Sequence, residues 1–591
     1  MCGIVGYVGE QHPKECLIDG LKKLEYRGYD SSGIAIKNKD TIQIIKSTGK
    51  ISDLEEKIAN EKLIKSNLGI AHTRWATHGE ANETNAHPHK VNRVTIVHNG
   101  IIENATELKN KLVNEGIVFR SETDTEVACA VIDNYYNGNP IETITKAIKE
   151  LKGSYAFGIL FEDQDKLYAV RKDSPLIIGI GEKENYIASD IAAIIKYTDK
   201  YILLEDDEVV ELSKDEVKVF KDGQPIEKEV KTSTMTIEDA NKGNYKHFML
   251  KEIMEEPIVL QRTLNKYIHD MDQMADISDY EEIHIVACGS ALYAGMIGKC
   301  LLEDKANIKC MTECASEYRY KKIIYDRKTL VILISQSGET ADTIAAMRKA
   351  HEEGMDTLAI VNVKTSTIAR EAKKTLFIEA GPEIAVATTK AYLLQVAMFS
   401  LIALKAAVSK GLEKNEKEIL EEAKHLPEYL RKVLNDKEIF ENVGKEIHEE
   451  HSAFFIGRGI DYAMCEEGSL KLKEVSYIHC DAYQAGELKH GTISLIEDGV
   501  PVFAIITDDR IKDKTESNVI EVESRQARIF IITNDPSIMN HHFKYVVEKL
   551  SDYFQPILIV PPLQLIGYYT ALTRGLDIDK PRNLAKSVTV E

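Results

Sequence analysis

The stretch Ile283-His284-Ile285-Val286-Ala287-Cys288-Gly289-Ser290 is echoed by Ala453-Phe454-Phe455-Ile456-Gly457-Arg458-Gly459. Each reads as a short apolar strand, a glycine turn and the start of a helix. Leu330 to Ser335 is likewise echoed by Val500 to Thr507, and Thr357 to Asn362 by Arg528 to Thr533. Near-continuous apolar strands separated by amphipathic helices predict a parallel sheet covered on both faces. Three echoes in one order predict two copies of a single α/β unit. A helical connector near Met398 to Lys445 joins them.

The part ahead of this repeat has another texture. Leu68 to His72, Arg93 to His98, Ser154 to Phe161 and Lys166 to Val170 are short apolar strands. Helical stretches such as Cys16 to Leu24 and Asn104 to Glu115 intervene, which predicts mixed α/β with much antiparallel pairing. Around Lys221-Asp222-Gly223-Gln224-Pro225 the apolar signal lapses into polar, turn-rich sequence. The expected division is a front domain over 1–220, a linker over 221–246, a first repeat over 247–425 and a second over 426–591.

Composition excludes several classes. At 591 residues the chain is long enough for about three or four domains. No run of 18 or more apolar residues predicts a membrane span, and the start lacks the pattern of a signal peptide. A net charge of −20 argues against nucleic-acid binding. Nine cysteines without a paired pattern are not a disulfide framework, so the expected compartment is a reducing cytoplasm.

Cys2 stands directly behind the initiator methionine. Removal of Met1 would put a thiol and a free α-amine on one residue, a nucleophile with its own base. His72-Thr73-Arg74-Trp75-Ala76-Thr77-His78-Gly79 and Val97-His98-Asn99-Gly100 both sit at strand ends. The Asn99 side chain and the Gly100 N–H suit an oxyanion beside the thiol. Arg74 offers a fork for an α-carboxylate, and Asp124 a counter-charge for an α-ammonium. Together they describe glutamine as the substrate. Locally, Asn99-Gly100 also reads as a hairpin turn and Asp124 as a helix cap. The unevenly spaced His72, His78, His87 and His89 lack a metal-ligand pattern, and no metal is expected.

Behind the Leu330 to Ile334 strand, Ser335-Gln336-Ser337-Gly338-Glu339-Thr340 opens the predicted helix Ala341 to His351. A hydroxyl-rich loop at a helix N-terminus can hold a phosphate, or can simply cap the helix. Neither GxxxxGK[ST] nor GxGxxG after a strand is present, which disfavours ATP or a dinucleotide. Lys471 and Glu474 share one face of a predicted helix. His490 follows in Glu487-Leu488-Lys489-His490-Gly491, and the tail carries Lys586.

These motifs resemble a known family. Met1 to Tyr7, Leu24 to Ser31, His72 to Gly79, His98 to Gly100 and Glu122 to Glu126 are similar to the class II, N-terminal-nucleophile glutaminases. With the rear motifs in order behind them, the whole chain resembles the glutamine–fructose-6-phosphate aminotransferases. The resemblance implies a four-layer αββα glutaminase domain followed by two sugar isomerase (SIS) domains with flavodoxin-like, doubly wound parallel sheets. It implies Cys2 as nucleophile, Asn99 and Gly100 as oxyanion hole, and Arg74, Thr77, His78 and Asp124 around glutamine. Trp75 matches a gate on an ammonia tunnel.

At the rear, the resemblance implies Ser335, Gln336, Ser337 and Thr340 as the phosphate loop, with Ser290, Thr388 and Lys471 also at the sugar phosphate. Lys586 matches a Schiff-base lysine, Glu474 a proton-shuttling base and His490 a ring-opening residue donated by the neighbouring subunit of a homodimer. Ala291, Ala385 and Thr388 depart from the commoner residues. The implied reaction turns fructose 6-phosphate and glutamine into glucosamine 6-phosphate and glutamate. It needs no cofactor, because the iminium is the electron sink. Rival readings are another amidotransferase, a fructosamine deglycase, or a non-enzymatic sugar-phosphate sensor built on SIS units.

Overall fold

The computed structural model describes residues 2–39, 41–76, 79–233, 235–236, 241–324 and 328–589. The chain divides into two compact units, Met1–Asn241 with Ala585–Glu591, and Lys242–Leu584.

The first unit is built on two sheets, one of eight strands and one of seven. Gly3–Val8 lies between Leu68–Arg74 and Asn185–Ala188 in the larger sheet, antiparallel to both. Val94–Ile102 pairs with Gly153–Phe161 and His89–Val91 in the smaller. Side chains alternate across each strand. Ile4 and Val8 point into a core shared with Val97 and Leu160 of the other sheet. Val5 and Tyr7 point outward, onto Leu17 and Leu21 of the helix Lys14–Leu24. The smaller sheet is covered on its outer side by Asp124–Tyr135, whose Val127, Cys129 and Val131 join Ile96 and Phe157. The order of layers is helix, sheet, sheet, helix.

The expected linker over 221–246 needs correction. Asp222 and Gly223 (φ 50° and 77°) make a two-residue turn, with Lys221 pairing Gln224 across it. An Asp-Gly pair at positive φ is a hairpin signal, so the polar texture there marks a sheet edge. Lys231–Thr232 adds a further edge strand beside Lys200–Tyr201. The tail Ala585–Glu591, expected in the second repeat, groups with the first unit.

The second unit holds two five-stranded parallel sheets of the same topology. One runs Lys309–Cys314, Glu282–Ala287, Thr329–Ser335, Asp356–Val361, Lys374–Phe377. The other runs His479–Gln484, Ser452–Gly457, Pro501–Ile506, Arg528–Thr533, Phe543–Val546. In chain order both are 2-1-3-4-5, the flavodoxin-like winding. The duplication extends to the joints. Gly289 (φ 55°, ψ −135°) and Gly459 (φ 57°, ψ −125°) each open a 17-residue helix, Ser290–Ala306 and Ile460–Ser476. Left-handed Asn307 and Tyr477 close them.

The expected division at 425/426 falls inside the helix Glu416–Asn435, which with Lys437–Ile447 makes the connector. Lys390–Ser409 and Gln555–Thr573 have the length and hydropathy of membrane spans, yet 89% of each apolar window is buried. They are core helices, apolar on every side because they are surrounded.

Candidate active site

Pairing in the larger front sheet sets Gly3 opposite Thr73, so Cys2 lies beside the exit of Leu68–Arg74. The Trp75 N–H donates to Cys2 Sγ at 3.4 Å, and the thiol faces the Trp75 carbonyl at 3.7 Å. Burial pushes the Cys2 thiol up, while the Trp75 N–H and the Arg74 charge pull it down.

Asn99 reaches this point from the other sheet. Its Nδ2 donates to Cys2 O at 3.1 Å and to Ser189 Oγ at 2.9 Å, while His72 Nε2 lies 3.1 Å from its Oδ1. Asn99 and Gly100 are strand residues paired with Ala156 and Tyr155, which removes the hairpin-turn reading. Gly100 has φ 127°, and a Cβ there would sit 2.0 Å from Ser154 O.

Arg74 is buried and donates to the carbonyls of Glu80 (3.2 Å) and Gly79 (3.1 Å). Burial lowers its pKa; the charges of Asp30 and Asp124 oppose that shift, as a Cys2 thiolate would. Asp124 Oδ2 accepts the Ile102 N–H at 2.8 Å. The cap of its helix is Thr123, which accepts from Glu126 N, so Asp124 is not the capping residue. Thr77 and His78 lie outside the described residues. His72 and His87 stack at 4.0 Å, and His87 meets His89 edge-on at 5.0 Å. Among the described residues, no three or more His, Cys, Asp or Glu are grouped to hold a metal ion.

Two contributors here go beyond the site residues named from the sequence. Ser189 is 90 residues from Asn99 and only the sheet order brings it in. Asp30 accepts the Ala76 N–H at 2.7 Å, fixing the backbone that follows Trp75.

In the second unit, Ser335 closes its strand and turns into the loop ahead of Ala341–Glu352. Ser335 Oγ accepts the Gly338 N–H at 3.0 Å and lies 2.9 Å from Thr340 Oγ1; Ser337 Oγ accepts the Glu339 N–H at 3.2 Å. The hydroxyls are therefore gathered at one helix start, with Gln336 and Ser337 half-buried beside them. Thr388 is also half-buried, ahead of Lys390–Ser409.

Lys471 is fully buried between two carboxylates. It pairs with Glu474 one turn on, and its Nζ lies 3.4 Å from Glu467 one turn back. Glu467, which sequence reasoning missed, completes an i, i+4, i+7 stripe on Ile460–Ser476. Burial pushes its carboxyl up to about 7, against the pull of the Lys471 charge. The helix that Ser290 opens, Ser290–Ala306, packs against this one. His490 is exposed at the end of the turn Glu487–His490, next to the edge strand His479–Gln484. Lys586 is half-buried in the tail segment that groups with the first unit.

Comparison with known proteins follows these lines. A glutamine amidotransferase domain model matches residues 72–196, and a SIS domain model matches 276–405 and 446–573. A glutamine–fructose-6-phosphate aminotransferase (isomerizing) of Clostridium tetani is 48% identical, with 100% of both chains covered. A protein of the same name from Caldanaerobacter subterraneus subsp. tengcongensis is 45% identical over the same full coverage. Among solved structures, the C-terminal domain of glucosamine-fructose-6-phosphate aminotransferase from Francisella tularensis is 33% identical, with TM-score 0.55 over 58% of this chain and 99% of that one. Tagatose-6-phosphate ketose/aldose isomerase from Escherichia coli shares the rear fold alone, at 15% identity and TM-score 0.50 over 57% of this chain and 95% of that one. A glutaminase-type front and a duplicated sugar isomerase rear, in one order and at these identities over full length, leave one conclusion: the chain belongs to the glutamine–fructose-6-phosphate aminotransferase (isomerizing) family.

Proposed function

We propose that the chain converts fructose 6-phosphate and glutamine into glucosamine 6-phosphate and glutamate, the entry to amino-sugar synthesis. The observation that carries the front half is the meeting of Cys2 with the Asn99 amide and the Trp75 backbone. Met1 is removed, the Cys2 thiol passes its proton to the new α-amine, and the resulting thiolate attacks the side-chain amide of glutamine. Asn99 Nδ2 and the Gly100 N–H hold the oxyanion. Arg74 grips the α-carboxylate and Asp124 the α-ammonium, with Thr77 and His78 beside them and Trp75 over the exit for ammonia. Collapse of the tetrahedral adduct releases ammonia and leaves a thioester, which water hydrolyses to glutamate.

At the rear, Ser335, Gln336, Ser337 and Thr340 hold the sugar's phosphate, with Ser290, Thr388 and Lys471 nearby. His490 opens the ring, Lys586 forms a Schiff base at C2, and ammonia displaces it. Glu474 then moves a proton from C1 to C2, turning ketimine to aldose. Exposure of His490 supports its service in a neighbouring subunit's site, so the assembly is a homodimer, working in the cytoplasm.

Glutamate and amino-sugar phosphate should be assayed together. Cys2→Ala should abolish glutamine-driven synthesis while sugar isomerisation persists; loss of both activities would count against separate sites. Lys586→Ala should keep glutaminase and make no amino sugar, and normal product formation would refute its role.

A further inference from the structure

The Asn99 side chain is an amide, and only one of its two orientations is useful to an oxyanion. Turned one way it offers Nδ2, a donor; turned the other it offers Oδ1, which repels negative charge. What decides between them lies on the neighbouring strand.

His72 is completely buried, and its Nε2 faces two oxygens, His98 O at 2.8 Å and Asn99 Oδ1 at 3.1 Å. A backbone carbonyl only accepts, so Nε2 carries the ring proton. The same N–H then holds the amide oxygen of Asn99. Nδ1 is buried without a hydrogen-bond partner. A second proton would have no acceptor there, and burial pushes the imidazole down to about 3. The ring plane is fixed as well, by stacking on His87 at 4.0 Å, while His87 Nδ1 accepts the His98 N–H at 3.3 Å.

The amide is clamped from the other end by Ser189. Its Oγ takes one Nδ2 hydrogen at 2.9 Å and also accepts the Ile4 N–H at 2.7 Å. The remaining Nδ2 hydrogen faces Cys2 O at 3.1 Å. Since Ser189 keeps the other, this is the hydrogen that must turn from Cys2 O to a developing oxyanion. A flipped Asn99 would set oxygen against the carbonyl of Cys2 and nitrogen against the N–H of His72, losing contacts at both ends.

We propose that His72 is a positioning residue for glutamine hydrolysis: its Nε2–H pins the Asn99 oxygen and so presents Nδ2 to the developing oxyanion, with Ser189 as the second clamp. The inference rests on the glutaminase reading above. His72 does not touch the substrate in this scheme and transfers no proton.

The test is steady-state glutaminase kinetics on full-length variants. Removing an oxyanion donor outright costs about 10²–10³ in kcat. His72→Leu, which deletes the N–H, should lower kcat by about tenfold to a hundredfold with KM within about twofold, since only the transition state loses. His72→Gln, whose amide can place an N–H near the same point, should recover most of the loss. In an Asn99→Ala background, His72→Leu should cost nothing more, because the group it positions is gone. Ser189→Ala should show the same dependence on Asn99 and keeps the question open to test if His72→Leu does not fold. Equal losses in both backgrounds, or a rise in KM that matches the fall in kcat, would overturn the proposal. Absence of Cys2-dependent hydrolysis in the unmutated chain would instead sink the glutaminase reading itself.

Discussion

Asp461 accepts the Thr507 N–H at 2.8 Å and the Thr507 hydroxyl besides, tying the start of one helix to the loop that leaves the neighbouring strand. The matching position in the first repeat, two residues after the shared glycine, is Ala291, whose methyl group accepts nothing. The two copies keep the same backbone turn and differ in what stands at it. In the second copy the loop amides are satisfied by the chain itself, so the loop there is a structural joint. Each buried donor left unmet costs about 1–3 kcal/mol, so Asp461→Ala should lower rear-unit stability by about 3 kcal/mol in urea unfolding.

Burial pushes the Asp461 carboxyl up to about 7, against those donors. Its native pKa thus exceeds the unfolded value near 3.9. Between these values the native state holds a proton that the unfolded state has lost. Stability from this group is full below about pH 4 and falls by about 1.4 kcal/mol per unit as pH rises towards 7. Asp461→Asn should flatten that part of the pH–stability curve; an unchanged slope would refute the assignment.

The front unit should respond to acid in the opposite sense. Burial holds His72 down at about 3 and keeps His87 and His89 well below the usual histidine range. All three fold as neutral rings, and on unfolding they regain a pKa near 6.5. Their stabilisation is therefore present above about pH 6.5 and lost as pH falls. Each contributes a slope of about 1.4 kcal/mol per unit below that point. Unfolding at pH 5.5 should take up close to three more protons than at pH 8 from this cluster, which calorimetry in buffers of different ionisation heat would count.

Lys471→Met should be severely destabilising. It would leave Glu467 and Glu474 facing each other without the cation now between them. Breaking a buried pair by removing one partner costs about 3–5 kcal/mol. The double change with Glu467→Gln should recover part of that loss in urea melts.

Gly100→Ala should silence the front site selectively. Its Cβ would overlap Ser154 O, and φ 127° is strained for any L-side chain. The strand must shift, and with it the Gly100 N–H proposed for the oxyanion. Glutaminase activity should fall by about a hundredfold or more, while isomerisation of the sugar phosphate continues.

The strands of the rear unit were readable because a parallel strand buried on both faces must be apolar throughout, as at Leu330–Ile334 and Arg528–Thr533. The front misled at its turns. Asp222-Gly223 and Asn99-Gly100 look alike locally, yet one is a hairpin turn and the other lies mid-strand with Gly100 pressed on Ser154. Pairing with a distant strand decides the difference, and a local window does not contain it. Cys2 stands out in the sequence by its place directly behind Met1, whereas Trp75 is singled out only through the family resemblance. Ser189 and Asp461 could not be picked out, since a serine and an aspartate gain meaning only from what the sheets bring near. Glu467 was within reach, by its helical spacing from Lys471 and Glu474.

The helix Gln555–Thr573 is made after all of its partners, yet it packs against Phe248–Ile268, Lys390–Ser409, Glu416–Asn435, Lys437–Ile447 and Ile460–Ser476. Those partners leave the ribosome long before it. Until residue 573 emerges, the most apolar faces of the rear half wait uncovered, with the greasiness of a lipid-seeking segment at Lys390–Ser409. Translation arrested or truncated before that helix would therefore yield a sticky intermediate, not a smaller working protein.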